Sequence, residues 1–172
     1  MSRLIRLVTS EQYTHVSVGL NPELFPLYSF ARRFSYFPFP AGLVEERLER
    51  GYWERYPQTP CLLLECRVSN QAYTRILFRI RRMMRKSKKY KYSILGVLFC
   101  FFNWELSRKR RYFCSQFVGE LLQKSGSTQL PKPSSLMHPV DFTRMSSVSP
   151  LYRGTVAGLL HWVRSQNMLR KG

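Results

Sequence analysis

Two segments of this chain carry side chains suited to nucleophilic chemistry. One is Tyr13-Thr14-His15-Val16-Ser17-Val18-Gly19-Leu20. The other is Tyr112-Phe113-Cys114-Ser115-Gln116-Phe117-Val118-Gly119-Glu120-Leu121-Leu122. A thiol at the start of a helix and an imidazole on a strand are the two parts of a thiol nucleophile with its base, here in the order histidine first. Helix N-termini favour anions through the macrodipole and the free N–H groups, and a nearby imidazolium favours a thiolate further. The Cys114 backbone N–H is then free to stabilise an oxyanion. Phe117, Val118, Leu121 and Leu122 recur at helical spacing and are expected to bury one face of that helix. The plainer reading of Cys114 is one more buried thiol.

The base is not fixed by spacing. His15 shares a strand face with Ser17 and Gly19, small residues that let another element approach. His138 follows a proline-rich loop, and His161 lies four residues after Ala157 on a predicted helix. Composition and spacing leave all three open.

The elements that must position these groups read as follows. Ser2 to Val8 patterns as a short helix capped by Ser2. His15 to Leu20 is a predicted strand, Asn21-Pro22-Glu23 a turn, and Phe25 to Phe30 a second strand completing a hairpin. Phe34 to Gly42 is an aromatic, proline-rich loop, and Val44 to Arg50 is a short helical or extended piece. Cys61 to Val68 suggests a buried strand. Ser69 and Asn70 cap a helix from Gln71 to about Lys86, with Tyr73, Ile76, Leu77, Ile80 and Met84 on its apolar face. Tyr92 to Trp104 is apolar and leans helical. Arg108 to Arg111 form a tetrabasic turn just before the Cys114 helix, which runs to Lys124 with Gly126 as its C-cap. Pro131, Pro133 and Pro139 mark a loop, Asp141-Phe142 opens a helical turn, and Leu151 to Val163 closes the domain.

The chain's 172 residues fit a single domain, 1–172, with a sizeable core. A hydrophobic content of 44% speaks against disorder. The net charge of +18 implies attraction to something anionic. Cys61, Cys66 and Cys100 lie in or beside apolar runs and read as small buried hydrophobes. No cysteine–histidine spacing matches a metal template, so no metal or other cofactor is expected. Met1-Ser2-Arg3-Leu4-Ile5-Arg6 lacks the apolar core of a signal peptide, and a reduced, cytoplasmic protein is the expectation. Ile94 to Trp104 is shorter than the roughly 20 residues needed to span a bilayer.

Together the two segments resemble the permuted branch of the papain-like NlpC/p60 superfamily. Members carry a T-H-V-S-I or H-V-G-I strand first and a C-S-E/Q-F-V helix far downstream. Here these read Thr14-His15-Val16-Ser17-Val18 and Cys114-Ser115-Gln116-Phe117-Val118. Leu27-Tyr28-Ser29-Phe30, Lys91-Tyr92-Ser93-Ile94-Leu95-Gly96 and Pro139-Val140-Asp141-Phe142 extend the likeness over most of the chain. The resemblance implies an α+β, circularly permuted papain-like fold, with the cysteine helix packed on a small antiparallel sheet. It implies that Cys114 attacks a carbonyl while His15 takes the proton and later returns it. A third polar residue should orient the imidazole from the strand after His15. Ser29 is the nearest match, ahead of Tyr28 and Asn21. Many relatives begin with an extra strand, whereas this chain opens on the predicted helix.

The leading functional expectation is a cysteine hydrolase or acyltransferase acting on an amide or ester of a small-molecule, peptide or acyl substrate. The competing one is a non-catalytic basic module on the same scaffold. It would bind nucleic acid or an anionic membrane through Arg79 to Lys91 and Arg108 to Arg111, with Tyr90, Tyr92 and Tyr112 interleaved. A third combines the two, an enzyme docked on membrane through the basic helix and Ile94 to Trp104. A solvated basic face that aids solubility is the plain alternative to both binding roles.

Overall fold

The computed structural model describes residues 13–32 and 41–169. The predicted helix Ser2–Val8 and residues 34–40 of the aromatic loop lie outside them. The strands are β1 (Val18–Gly19), β2 (Leu27–Arg32), β3 (Ala41–Glu46), β4 (Pro60–Cys66), β5 (Lys91–Tyr92), β6 (Arg111–Tyr112) and β7 (Val148–Thr155). The helices are α1 (Tyr52–Arg55), α2 (Asn70–Met84), α3 (Ile94–Phe101), α4 (Cys114–Ser125) and α5 (Val156–Leu169). The protein is therefore of mixed α+β class.

Five strands form one sheet in the order β1-β2-β3-β5-β6, and β4 pairs with β7 in a second, two-stranded sheet. β1, β2, β3 and β5 are antiparallel neighbours, while β5 and β6 run parallel. The predicted first hairpin is present, but regular pairing in β1 is confined to two residues. Asn21 makes its turn, accepting from Phe25 N at 3.0 Å through Oδ1 and donating to Phe25 O at 2.6 Å. The stretch from Val44, open between helix and extended, is the end of β3 as far as Glu46, and Ala41 and Gly42 of the expected loop are its first residues.

α2 starts where the cap predicts: Ser69 Oγ accepts from Ala72 N at 3.1 Å. Its buried stripe is Ala72, Ile76, Ile80 and Met83, a slight rotation from the expected face. Tyr73 turns outward and donates its hydroxyl to Leu20 O at 2.9 Å. A phenol tip that needs a polar partner is better placed at an edge than in a core.

α4 is the central helix, buried on nearly every side from Cys114 to Leu122. It packs on β2 and α2, where Phe30, Leu43, Ile76, Ile80, Phe117 and Leu121 build the core. Burying a side chain such as Phe117 contributes about 1.5–3 kcal/mol, and this packing fixes the direction of the helix. Gly126 ends it in the left-handed region at φ 76°, as its C-cap position requires. Ser127 N then returns to Leu122 O at 3.1 Å.

Candidate active site

Cys114 is the first residue of α4, and no side chain caps that helix. The first intrahelical bond runs from Phe117 N to Phe113 O at 3.0 Å. The N–H groups of the opening turn therefore have no partner within the helix. The thiol is buried and free of any disulfide.

His15 lies three residues before β1, on the sheet face that carries Ser17 and Glu46. The register makes this so, because Gly19 stands opposite Leu27 and Leu27 opposite Glu46. His15 Nε2 donates to Glu46 Oε1 at 2.9 Å. Ser17 Oγ donates to Glu46 Oε2 at 2.7 Å. The Trp53 indole adds a further hydrogen bond to the carboxylate, and its ring lies 5.9 Å from the imidazole. His15 is also hydrogen-bonded to the Cys114 thiol. The imidazole thus bridges a thiol and a carboxylate.

The side chains of His15 and Glu46 are only 20% and 10% exposed, so water screens their attraction weakly. Burial by itself would lower the proton affinity of His15. The Glu46 carboxylate and the hydrogen bonds to Cys114 and Glu46 outweigh it, and the imidazole is held well above its ordinary range. Burial would raise Glu46, but the charge of His15 and the bonds from His15, Ser17 and Trp53 hold it below the usual carboxylate range. Tyr92, on β5, also lies close to Cys114. Burial first, then the sulfur, pushes its phenol far above the ordinary value, so it remains a neutral donor. His15, Glu46, Trp53, Tyr92 and Cys114 line one cleft, which Leu62, Leu64 and Val148 of the β4–β7 sheet also line.

The structure brings Cys114 and His15 together and separates them from the other candidates. His138 Nε2 lies 3.6 Å from Cys100 Sγ instead, and His161 is on the exposed side of α5. The expected orienting role of Ser29 is corrected: its hydroxyl donates to Val16 O at 2.9 Å, and the imidazole faces Glu46. Tyr28 stands opposite Glu45, and Asn21 is engaged in the turn. Glu46 and Trp53 were missed by sequence reasoning. The signal was slight: an acidic residue at the end of an apolar stretch in a strongly basic chain. Cys100 is buried as expected, but Cys61 and Cys66 are only partly so. Burial pushes the Cys61 thiol up to about 11 and raises that of Cys66, which makes both poor nucleophiles.

Comparison of the chain with family models, with curated proteins and with solved structures finds no match. No group of ligating side chains among the described residues could hold a metal ion.

Proposed function

We propose that this chain is a thiol-dependent hydrolase or acyltransferase acting on an amide or ester bond, on a permuted papain-like scaffold. Cys114 is the nucleophile, His15 the base and Glu46 the residue that orients it. The observation that carries this reading is the imidazole bridging Cys114 and Glu46 at the start of a buried helix. A thiol, an imidazole and a carboxylate in line form the arrangement that activates a sulfur nucleophile.

In the reaction, the His15 imidazole takes the thiol proton and the sulfur bonds to the carbonyl carbon. The raised proton affinity of His15 drives this transfer, and Glu46 balances the resulting imidazolium. Negative charge gathers on the carbonyl oxygen, where the free N–H groups opening α4 are the available donors. The bond to the leaving amine or alcohol then breaks, and His15 returns its proton to that group. Water, or an acceptor hydroxyl or amine, attacks the thioester with His15 again removing the proton. The acyl group leaves and the thiol is restored.

The test is acyl-enzyme capture. Incubation with a p-nitrophenyl ester, an acid quench and peptide mass mapping should locate an acyl group on Cys114 that hydroxylamine removes. Cys114→Ala should carry none. Acylation spread evenly over Cys61, Cys66 and Cys114, with no dependence on His15, would overturn the proposal.

A further inference from the structure

α3 is built inside out. Its buried positions are Gly96 and Cys100, while Ile94, Leu95, Leu98 and Phe101 form an exposed apolar stripe. Phe102 and Trp104 continue it at 56% and 64% exposure. Small residues on the inward side let the helix lie close to the body. A Cβ on Gly96 would stand only 3.3 Å from Phe113 Cδ1. Large side chains that would ordinarily fill a core are turned outward as one contiguous patch, which marks an interaction surface.

The root of this helix is strongly basic. β5 and β6 pair in parallel, with Lys91 opposite Arg111 and Lys91 N donating to Arg110 O at 3.0 Å. That pairing draws Lys91, with Lys88 and Lys89 in the 3-10 turn before it, towards Arg108, Lys109 and Arg110 in the turn that leads into β6. All six are exposed. Arg110 is held in the left-handed region at φ 59°, a costly conformation for a residue with a Cβ. From Lys86 to Gly119 the one acidic residue is Glu105. Arg79, at the start of the predicted basic run, is less available, because it is paired with buried Glu120.

We propose that this face docks on an anionic lipid bilayer, with the α3 stripe and Trp104 entering the interface and the β5–β6 cations on the headgroups. The aliphatic content selects a bilayer over nucleic acid. Bases stack on aromatic rings, but Ile94, Leu95 and Leu98 gain nothing from a phosphate backbone. No helix among the described residues is long and apolar enough to cross a membrane, so α3 lies in the interface plane. Because α3 rests on Phe113, the residue before Cys114, docking sets the opening of α4 one layer from the membrane. The surface stands whether or not Cys114 is a nucleophile.

The experiment is co-sedimentation of the full chain with phosphatidylcholine vesicles, with and without phosphatidylserine, at low and high salt. Two variants are compared, Leu98→Gln/Phe102→Gln and Arg108→Ala/Lys109→Ala/Arg110→Ala. The substituted positions are exposed, and circular dichroism checks that the variants fold. The proposal predicts binding that needs phosphatidylserine and weakens with salt, reduced about tenfold or more by either variant. Unchanged binding by the glutamine variant would overturn it, as would equal affinity for a homopolymer RNA in that variant. So would a wild-type dimer that the glutamine variant dissociates and that ignores vesicles.

Discussion

The 2.9 Å hydrogen bond from His15 Nε2 to Glu46 Oε1 joins the segment before β1 to the end of β3, across the intervening strand β2. It holds the ring beside Cys114, the first residue of α4. Ser17 and Trp53 hold the carboxylate in turn. The carboxylate on β3 is therefore held from the segment before β1 and from α1, and the imidazole is held with it.

Ser29 and Glu46 separate cleanly by mutation. Ser29→Ala should cost about 1–3 kcal/mol of stability, because Val16 O loses its donor in a buried place, while Cys114 reactivity stays within about twofold. Glu46→Gln should instead slow the reaction with little change in the fold. Denaturant melts and alkylation rates on both variants decide it. A reactivity loss confined to Ser29→Ala would restore serine as the orienter.

The pair should also make stability depend on pH in a definite window. His15 is raised in the folded state, so its contribution is complete below about 6.5 and is lost as pH rises through the folded value. Glu46 is lowered, so its contribution is complete above about 4.3 and is lost as pH falls through the folded value. The stability difference between wild type and Glu46→Gln should peak between those limits and shrink on both sides. Histidine NMR should show the His15 titration moving down in Glu46→Gln, since the charge that raises it is gone. A difference that stays flat from well below pH 4.3 to beyond the folded His15 titration would rule out the ion pair.

Arg79 and Arg82 lie on the same helix with different duties. Arg79 and Lys124 both pair with Glu120, a carboxylate only 9% exposed, and Tyr112 Oη donates to it at 3.3 Å. Arg79→Met should cost about 1–3 kcal/mol by leaving that carboxylate under-partnered. Arg82→Met should stay within about 0.5 kcal/mol. Thermal melts of the two variants test this, and equal effects would mean that Glu120 does not rely on Arg79.

Periodicity and caps made α2 and α4 legible, because Ser69, the apolar spacing and Gly126 each state a helix boundary locally. Cys114 and His15 stood out by their local motifs. Glu46 did not, since its place beside His15 depends on register. Only when Glu46 falls opposite Leu27, and Leu27 opposite Gly19, does the carboxylate reach the imidazole. The segment from Val44 carries no alternation strong enough to say strand, and Ser29 was attractive because it lies on the very next strand. The inward face of α3 was hidden for a related reason. Gly96 and Cys100 carry little hydrophobic signal, yet close packing against Phe113 makes them the buried side.

The most direct measurement is the rate of iodoacetamide alkylation of Cys114, located by peptide mass mapping, in wild type, His15→Ala and Glu46→Gln. At about pH 6, where an ordinary thiol of pKa near 8.5 reacts slowly, wild-type Cys114 should outpace Cys61 and Cys66. Both variants should slow it about tenfold or more at that pH. Equal rates in all three proteins, with Cys114 no faster than Cys61, would contradict an activated Cys114–His15–Glu46 site.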